Sequence, residues 1–478
     1  MSGRWERAGA QAPGSAIGLP PLIQRPAIPI RARLGIRSWL TLLLVRPAWL
    51  WRREALAVVL LAGAGACGWL VASAELGASG GVAAVWALVV PLLLVRVWLW
   101  VPAGRRAAAR WRRRARLGRR WDAACRFSGL TTVNDRIPRI TGLRVVPAGE
   151  VLTVRIPKGS IAGEIANAGE HLASALKVRE VRVARDVDRA HVARVDIIRR
   201  DPFLPRGGEP AALEWPWLGR ERVSLWDPVP VGVDELGDPV TVELPERGVL
   251  VGGEPGSGKS AGLSELLAGA ALDPSVHIWG LDAKRLELGL WRPVMERVGF
   301  GAMDQAISLV EDLIEIMEER YGDLEAAGLR KIGPDNPLYV LVVDELRFYT
   351  AHRDRKARDH FNGLLIDLAA RGRAAGILPW LATQKPSTDV VPSSLRDLIA
   401  IRWAMRSTTR DASDTILGAG YATLGYSAAD IDHRTRGVGW LLHEGETPRR
   451  VRSYLLDDEH IRAIAARGAA LRHAHGAT

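Results

Sequence analysis

Two long apolar blocks stand out near the start of the chain. Residues 55–74 contain no charged side chain, and residues 82–101 contain one, Arg96. A helix of about 20 residues rises about 30 Å, the depth of a bilayer's hydrocarbon core, so the pair predicts a transmembrane helical hairpin. Trp49 and Trp51 precede the first block, and Trp98 and Trp100 close the second. These are positions suited to interfacial aromatic belts, and Arg96 is near enough to the end to reach the headgroups. From Trp121 to Pro202 the pattern changes to short alternating runs. Residues 143–146 and 151–156 predict a hairpin, 164–177 a helix, and 178–183 and 192–198 two further strands, which makes a small α+β domain. Residues 203–239, rich in Pro and Gly, read as a linker.

From Val240 strands and helices alternate, which predicts a parallel α/β sheet. Strands are expected at 249–252, 276–281, 338–343 and 377–382, and helices at 261–272, 303–327 and 361–375. In the longest helix Ile307, Val310, Leu313, Ile314, Met317 and Tyr321 recur at three- and four-residue spacing. This region, 240–460, reads as one catalytic module, followed by a tail at 461–478.

Charge sharpens the membrane reading. The net charge is +12, but residues 1–120 hold 19 Arg, no Lys and three acids, so they carry +16 and the remainder carries −4. The arginines flank the apolar blocks: Arg46, Arg52 and Arg53 before the first, and Arg105, Arg106, Arg110 and Arg112–Arg114 after the second. The loop between the blocks has no basic residue. The positive-inside bias therefore predicts a multi-pass protein of the cell membrane, with two spans within 46–120 and both termini cytoplasmic. Residues 1–45, rich in Pro and Arg, read as a disordered basic tail held near membrane lipid. Cys67 and Cys125 cannot build a disulfide framework or a cysteine-paired zinc site.

The chemistry begins at Gly253. The run Gly253, Glu254, Pro255, Gly256, Ser257, Gly258, Lys259, Ser260 fits G-x-x-x-x-G-K-[ST] between an expected strand and an expected helix that continues through Ala261. Such a loop turns backbone N–H groups toward phosphate oxygens at a helix N-terminus. Lys259 is placed to reach the β- and γ-phosphates of ATP, and Ser260 to hold Mg2+. The strand at 339–343 ends in Asp344 and Glu345, at the edge where α/β sheets bind ligands. Asp344 is expected to contact Mg2+, and Glu345 to polarise the attacking water. Gln384, after the strand ending LAT, is a candidate γ-phosphate sensor. These parts predict an ATPase with an α/β P-loop NTPase fold.

Several stretches, in order, resemble the FtsK/SpoIIIE family of membrane-anchored DNA translocases. They are GEPGSGKS at 253–260, LDAKRLEL at 281–288, MEERYGDLEAAGLRKI at 317–332, VLVVDEL at 340–346, RAAGI at 373–377, LATQKPSTDVVPSSLRDLIAIRWA at 381–404 and SDTILGAGYATLGY at 413–426. The resemblance implies a RecA-like motor, ATP with Mg2+, double-stranded DNA as partner, and a homo-hexameric ring whose neighbouring subunits complete each site. It implies motor roles for Lys259, Ser260, Asp344, Glu345 and Gln384, and puts Asp282 and Lys284 beside the site. Arg373 is a candidate trans-acting arginine, with Arg402 and Arg410 as others. Two spans in place of four, the missing long Pro/Gln-rich linker and the short stretch after the motor are closer to the transfer proteins of actinobacterial conjugative plasmids and integrating elements. That layout implies conjugal DNA transfer, or movement of plasmid or chromosomal DNA across a septum or membrane. Basic segments at 352–358 and 385–396 are candidate DNA contacts. The alternative is a protein-moving ATPase similar to the type VII secretion motors. A membrane tether that only binds nucleotide or DNA is disfavoured by the intact catalytic set.

Overall fold

The computed structural model describes residues 5–7, 102–132, 134–204 and 212–476, with single helical positions at 63, 66, 70 and 89. The basic tail and the two expected spans lie almost wholly outside the described residues. Among the described residues, no helix is long and apolar enough to cross a membrane. The chain divides into two compact units, Met1–Arg200 and Asp201–Thr478.

Among the described residues, the first unit has a five-stranded antiparallel sheet and three continuous helices. A short strand β1 (Trp5–Arg7) lies at one sheet edge. Helix α1 (Pro102–Phe127) buries Leu117, Trp121, Ala124 and Cys125 on one face, while Arg112, Arg113, Arg116 and Arg120 face solvent. Trp121 Nε1 donates to the Pro138 carbonyl at 2.8 Å, so the indole is buried without losing its hydrogen bond. β2 (Arg139–Val146) and β3 (Gly149–Arg155) form a hairpin. The helix expected over 164–177 is two pieces, α2 (Ala162–Asn167) and α3 (Gly169–Leu176), separated at Ala168. β4 (Glu180–Asp186) and β5 (Val192–Ile198) complete the order β1-β4-β5-β3-β2.

The second unit is built on a ten-stranded sheet. Its strands are β6 (Val229–Asp234), β7 (Pro239–Val242), β8 (Val249–Gly252), β9 (His277–Leu281), β10 (Arg297–Gly299), β11 (Tyr339–Val343), β12 (Ile377–Thr383), β13 (Ile401–Met405), β14 (Val438–Leu442) and β15 (Arg449–Arg452). The order is β10-β9-β11-β12-β8-β13-β14-β15-β6-β7. The first six strands in that order run parallel, and β14, β15, β6 and β7 extend the sheet antiparallel. The sheet is therefore mixed and not parallel throughout, as the strand–helix alternation predicted. The reason is loop length: residues 235–238 and 443–448 join successive strands, and links this short can only form hairpins.

The helices are α4 (Lys259–Leu272), α5 (Met303–Ala326), α6 (Leu346–Thr350), α7 (Arg355–Ala375), α8 (Ser393–Arg396), α9 (Arg410–Leu417) and α10 (Asp458–Gly476). Central strands are buried on both faces, which is why they read as continuous apolar runs. In β12, Leu378, Trp380 and Ala382 join the core under α4 and α10, whereas Ile377 and Leu381 join the core under α5 and α7. Two sequence expectations change here. The stretch read as a linker supplies Trp215, Trp217, Val223, Leu225 and Val229 to the core of this unit. The stretch read as a tail is α10, which buries Ile461, Ile464 and Ala465.

Candidate nucleotide-binding site

The sheet order sets β11, β12, β8 and β13 side by side. Their C-terminal ends release, in turn, Asp344 and Glu345, Gln384, the loop from Gly253, and Arg406. Residues far apart in sequence thus meet along one edge.

The loop from Gly253 leads straight into α4, whose first backbone N–H groups have no partner within the helix. Gly258, at the N-cap, has φ +109°, a left-handed conformation that favours glycine. A Cβ there would stand 2.5 Å from the Cα of Gly437, so a side chain is excluded by packing as well. Lys259 is 4% exposed, and its Nζ donates to the backbone oxygen of Asp344 at 2.8 Å and to its Oδ1 at 2.9 Å. Asp344 Oδ2 and Ser257 Oγ are buried and lack a hydrogen-bond partner among the described residues. Unsatisfied buried polar atoms are costly, and these two belong to the Gly253 loop and to the carboxylate that Lys259 Nζ reaches, where backbone amides, one ammonium and one carboxylate are brought together. This donor set fits a Mg2+–triphosphate group, with Ser260 and Asp344 as the residues that would hold the metal.

Glu345 is buried, and its carboxylate accepts from Thr383 Oγ1 at 2.9 Å and from the Gln384 backbone N–H at 3.2 Å. The Gln384 side chain lines the adjoining cavities. Asp282 is fully buried and accepts from the backbone N–H of Lys284 and of Leu288, both at 3.1 Å, which fixes the loop that carries Lys284 beside Glu345. Glu254 accepts from Arg406 Nη1 at 2.7 Å and Thr408 Oγ1 at 3.3 Å, so the loop is also tied to the end of β13. Arg406 was invisible to motif reading because nothing in its local sequence marks the partner. Its only signal was its place just after a strand.

A cavity of about 930 Å³ opens over the loop, bounded by Pro255, Gly258, Lys259, Ser260 and Ala261, by Gln384, and by Arg436 and Tyr454. A second cleft of about 770 Å³ lies on the Glu345 side, where Lys284, Arg347, Arg353 and Lys385 gather. Of the basic segment 352–358, Arg355 onward is the first turn of α7, capped by Asp354 Oδ1 accepting from the Ala357 N–H.

The candidate trans-acting arginines stand elsewhere. Arg373 pairs with Glu444 at 3.4 Å and shares a separate cavity with Arg402. Arg402 Nη1 donates to the Leu417 carbonyl at 2.8 Å, and burial lowers its pKa. Arg410 is exposed, 4.0 Å from Asp430. None of the three lines the cavity over the loop of its own chain.

Residues 223–339 match the model of the FtsK/SpoIIIE family. DNA translocase FtsK of Staphylococcus aureus (strain Mu50) is 24% identical over 352 residues, spanning 68% of this chain and 42% of that protein. DNA translocase FtsK of Pseudomonas aeruginosa (strain PAO1) is 27% identical over 369 residues, spanning 69% of this chain and 42% of that protein. The chain therefore matches less than half the length of these relatives. Among solved structures, the monomer form of the pCW3 conjugation coupling protein TcpA with ATPγS aligns with a TM-score of 0.49 and 18% identity, over 74% of this chain and 99% of that chain.

Proposed function

Given that the chain carries an FtsK/SpoIIIE domain, we propose that the protein is a membrane-anchored, ATP-dependent translocase of double-stranded DNA. It works as a homo-hexamer, held by spans at 55–74 and 82–101 with both termini cytoplasmic, and serves conjugal transfer or a related passage of DNA across a membrane or septum. The reading is carried by one observation: Lys259, Asp344, Glu345 and Gln384 are assembled on adjacent strand ends, with a cation-lined cleft directly against Glu345.

The chemistry follows from the contacts. Lys259 exchanges its bonds to Asp344 for phosphate oxygens, and the N-terminal amides of α4 take the remaining negative charge. Ser260 and Asp344 would hold Mg2+, which would supply further charge neutralisation at the phosphates when bound. Glu345 takes a proton from the attacking water, and Thr383 fixes the carboxylate's orientation for it. Gln384 follows Thr383 directly and gives its backbone N–H to Glu345. A change at the terminal phosphate felt by the Gln384 side chain therefore shifts the base itself. Lys385 comes next and lines the cleft, so the same segment can pass that shift to bound DNA.

The test is ATP turnover by the full chain in detergent, with and without linear duplex DNA. Turnover is expected to rise with DNA, and Lys259→Ala is expected to abolish it. Turnover indifferent to duplex DNA would reject the DNA reading and favour a protein-moving motor.

A further inference from the structure

The turn 432–437 forms one wall of the cavity over the nucleotide loop, and it is fastened to that loop. The Gly437 N–H donates to the Ser257 carbonyl at 2.9 Å, and Gly437 presses on Gly258. On its other side Gly437 accepts from the Ser453 N–H at 2.8 Å. The turn holds its own shape. The Asp432 carboxylate accepts from the Arg434 backbone N–H at 2.9 Å and from its guanidinium at 2.7 Å, and the Thr435 N–H donates to the Asp432 carbonyl at 2.9 Å. Two arginines of this turn line the cavity, and they differ in one respect. Arg434 is neutralised by Asp432. Arg436 is exposed to the cavity and makes no hydrogen bond or ion pair among the described residues.

An unpaired guanidinium on the wall of a site suited to a triphosphate has a chemical match in phosphate oxygens, which it can bind through two parallel N–H groups. We propose that Arg436 binds the polyphosphate of the nucleotide in the same chain, as a residue additional to the loop from Gly253. The bond from Gly437 to Ser257 ties the turn that carries Arg436 directly to the loop. The proposal rests on the nucleotide-site reading above.

The experiment is calorimetric titration of the full chain with ATPγS. Arg436→Ala is expected to weaken binding about tenfold, equivalent to about 1.4 kcal/mol. Arg434→Ala is expected to change it less than about twofold, because that charge is already satisfied by Asp432. Both side chains are exposed, and matching thermal midpoints confirm that the variants remain folded. Arg436→Ala binding within about twofold of the unsubstituted chain overturns the assignment. So does an equal loss in both variants, which would mean that only diffuse positive charge matters. If the unsubstituted chain fails to bind ATPγS, the nucleotide site itself falls; if it binds and Arg436→Ala is unaffected, only the role of Arg436 falls.

Discussion

Glu265 shows how one side chain can tie folding stability to pH. It lies on α4, fully buried, and neither carboxyl oxygen reaches a hydrogen-bond partner among the described residues. Burial pushes its pKa well above the usual carboxylate value, and the nearby backbone of Tyr454 offsets only part of that shift. The sign follows directly. The unfolded chain releases this proton near pH 4.5, while the folded protein keeps it to higher pH, so folding binds a proton and stability falls as pH rises above 4.5. Glu265→Gln removes the titration. Its thermal midpoint, compared with that of the parent chain, should shift upward progressively between pH 5 and pH 8, with the two curves closest at the acid end. Parallel curves across this range would mean that Glu265 ionises normally. Residues of this kind also mark the limit of reading from sequence. Lys259, Ser260, Asp344 and Glu345 were legible because their chemistry is encoded in contiguous motifs next to a strand end. Arg406 and Gly437 were not, because each acts through a partner brought close only by the fold, and Arg436 was not, because only the fold sets it on the wall of the cavity over the loop.

At the scale of elements, the misread segments share a cause. Residues 212–239 carry enough Pro and Gly to look like loop, and backbone irregularity says nothing about burial. The sealed indoles of Trp215 and Trp217 are what make this stretch part of the core. In α10 the buried positions include Ala465 and Gly468, residues too small to raise a clear apolar stripe. Yet α10 completes the helix that carries the nucleotide loop. Arg472 Nη1 donates to the Ala271 carbonyl at 2.5 Å, and Nη2 donates to the carbonyls of Ala270, Asp273 and Val276 at 2.9, 3.1 and 3.0 Å. A cation here satisfies orphan carbonyls at the end of α4 and complements the negative pole of its dipole. Arg472→Ala leaves those carbonyls unpaired and should cost about 2 kcal/mol, read as a lower urea midpoint with an unchanged slope. The sheet was legible in its parallel half, where strand–helix alternation is regular, and not in β6, β7, β14 and β15, which pair as hairpins through the short links at 235–238 and 443–448.

For the whole molecule, charge separates two tasks. Residues 1–120 carry +16, and the rest of the chain carries −4. A motor with a net negative body cannot hold DNA by diffuse attraction at moderate salt, where screening acts over about 8–10 Å. The proposed grip on DNA would therefore come from cations gathered at one place, and Lys284, Arg347, Arg353 and Lys385 are gathered around the cleft beside Glu345. Each phosphate neutralised releases counterions and adds about −0.9 to the slope of log affinity against log salt. If Arg353 makes one such contact, Arg353→Ala reduces the slope of DNA-stimulated turnover by about 1 per engaged subunit, with little dependence on DNA sequence. Replacing Arg112, Arg113, Arg116 and Arg120 with Gln should leave that slope alone while weakening adsorption to vesicles containing anionic lipid, because these exposed side chains lie on α1 outside the motor unit. A slope that responds to the α1 arginines and ignores Arg353 would move the DNA contact out of the motor. It would also break the proposed link between Glu345, Gln384 and the bound duplex.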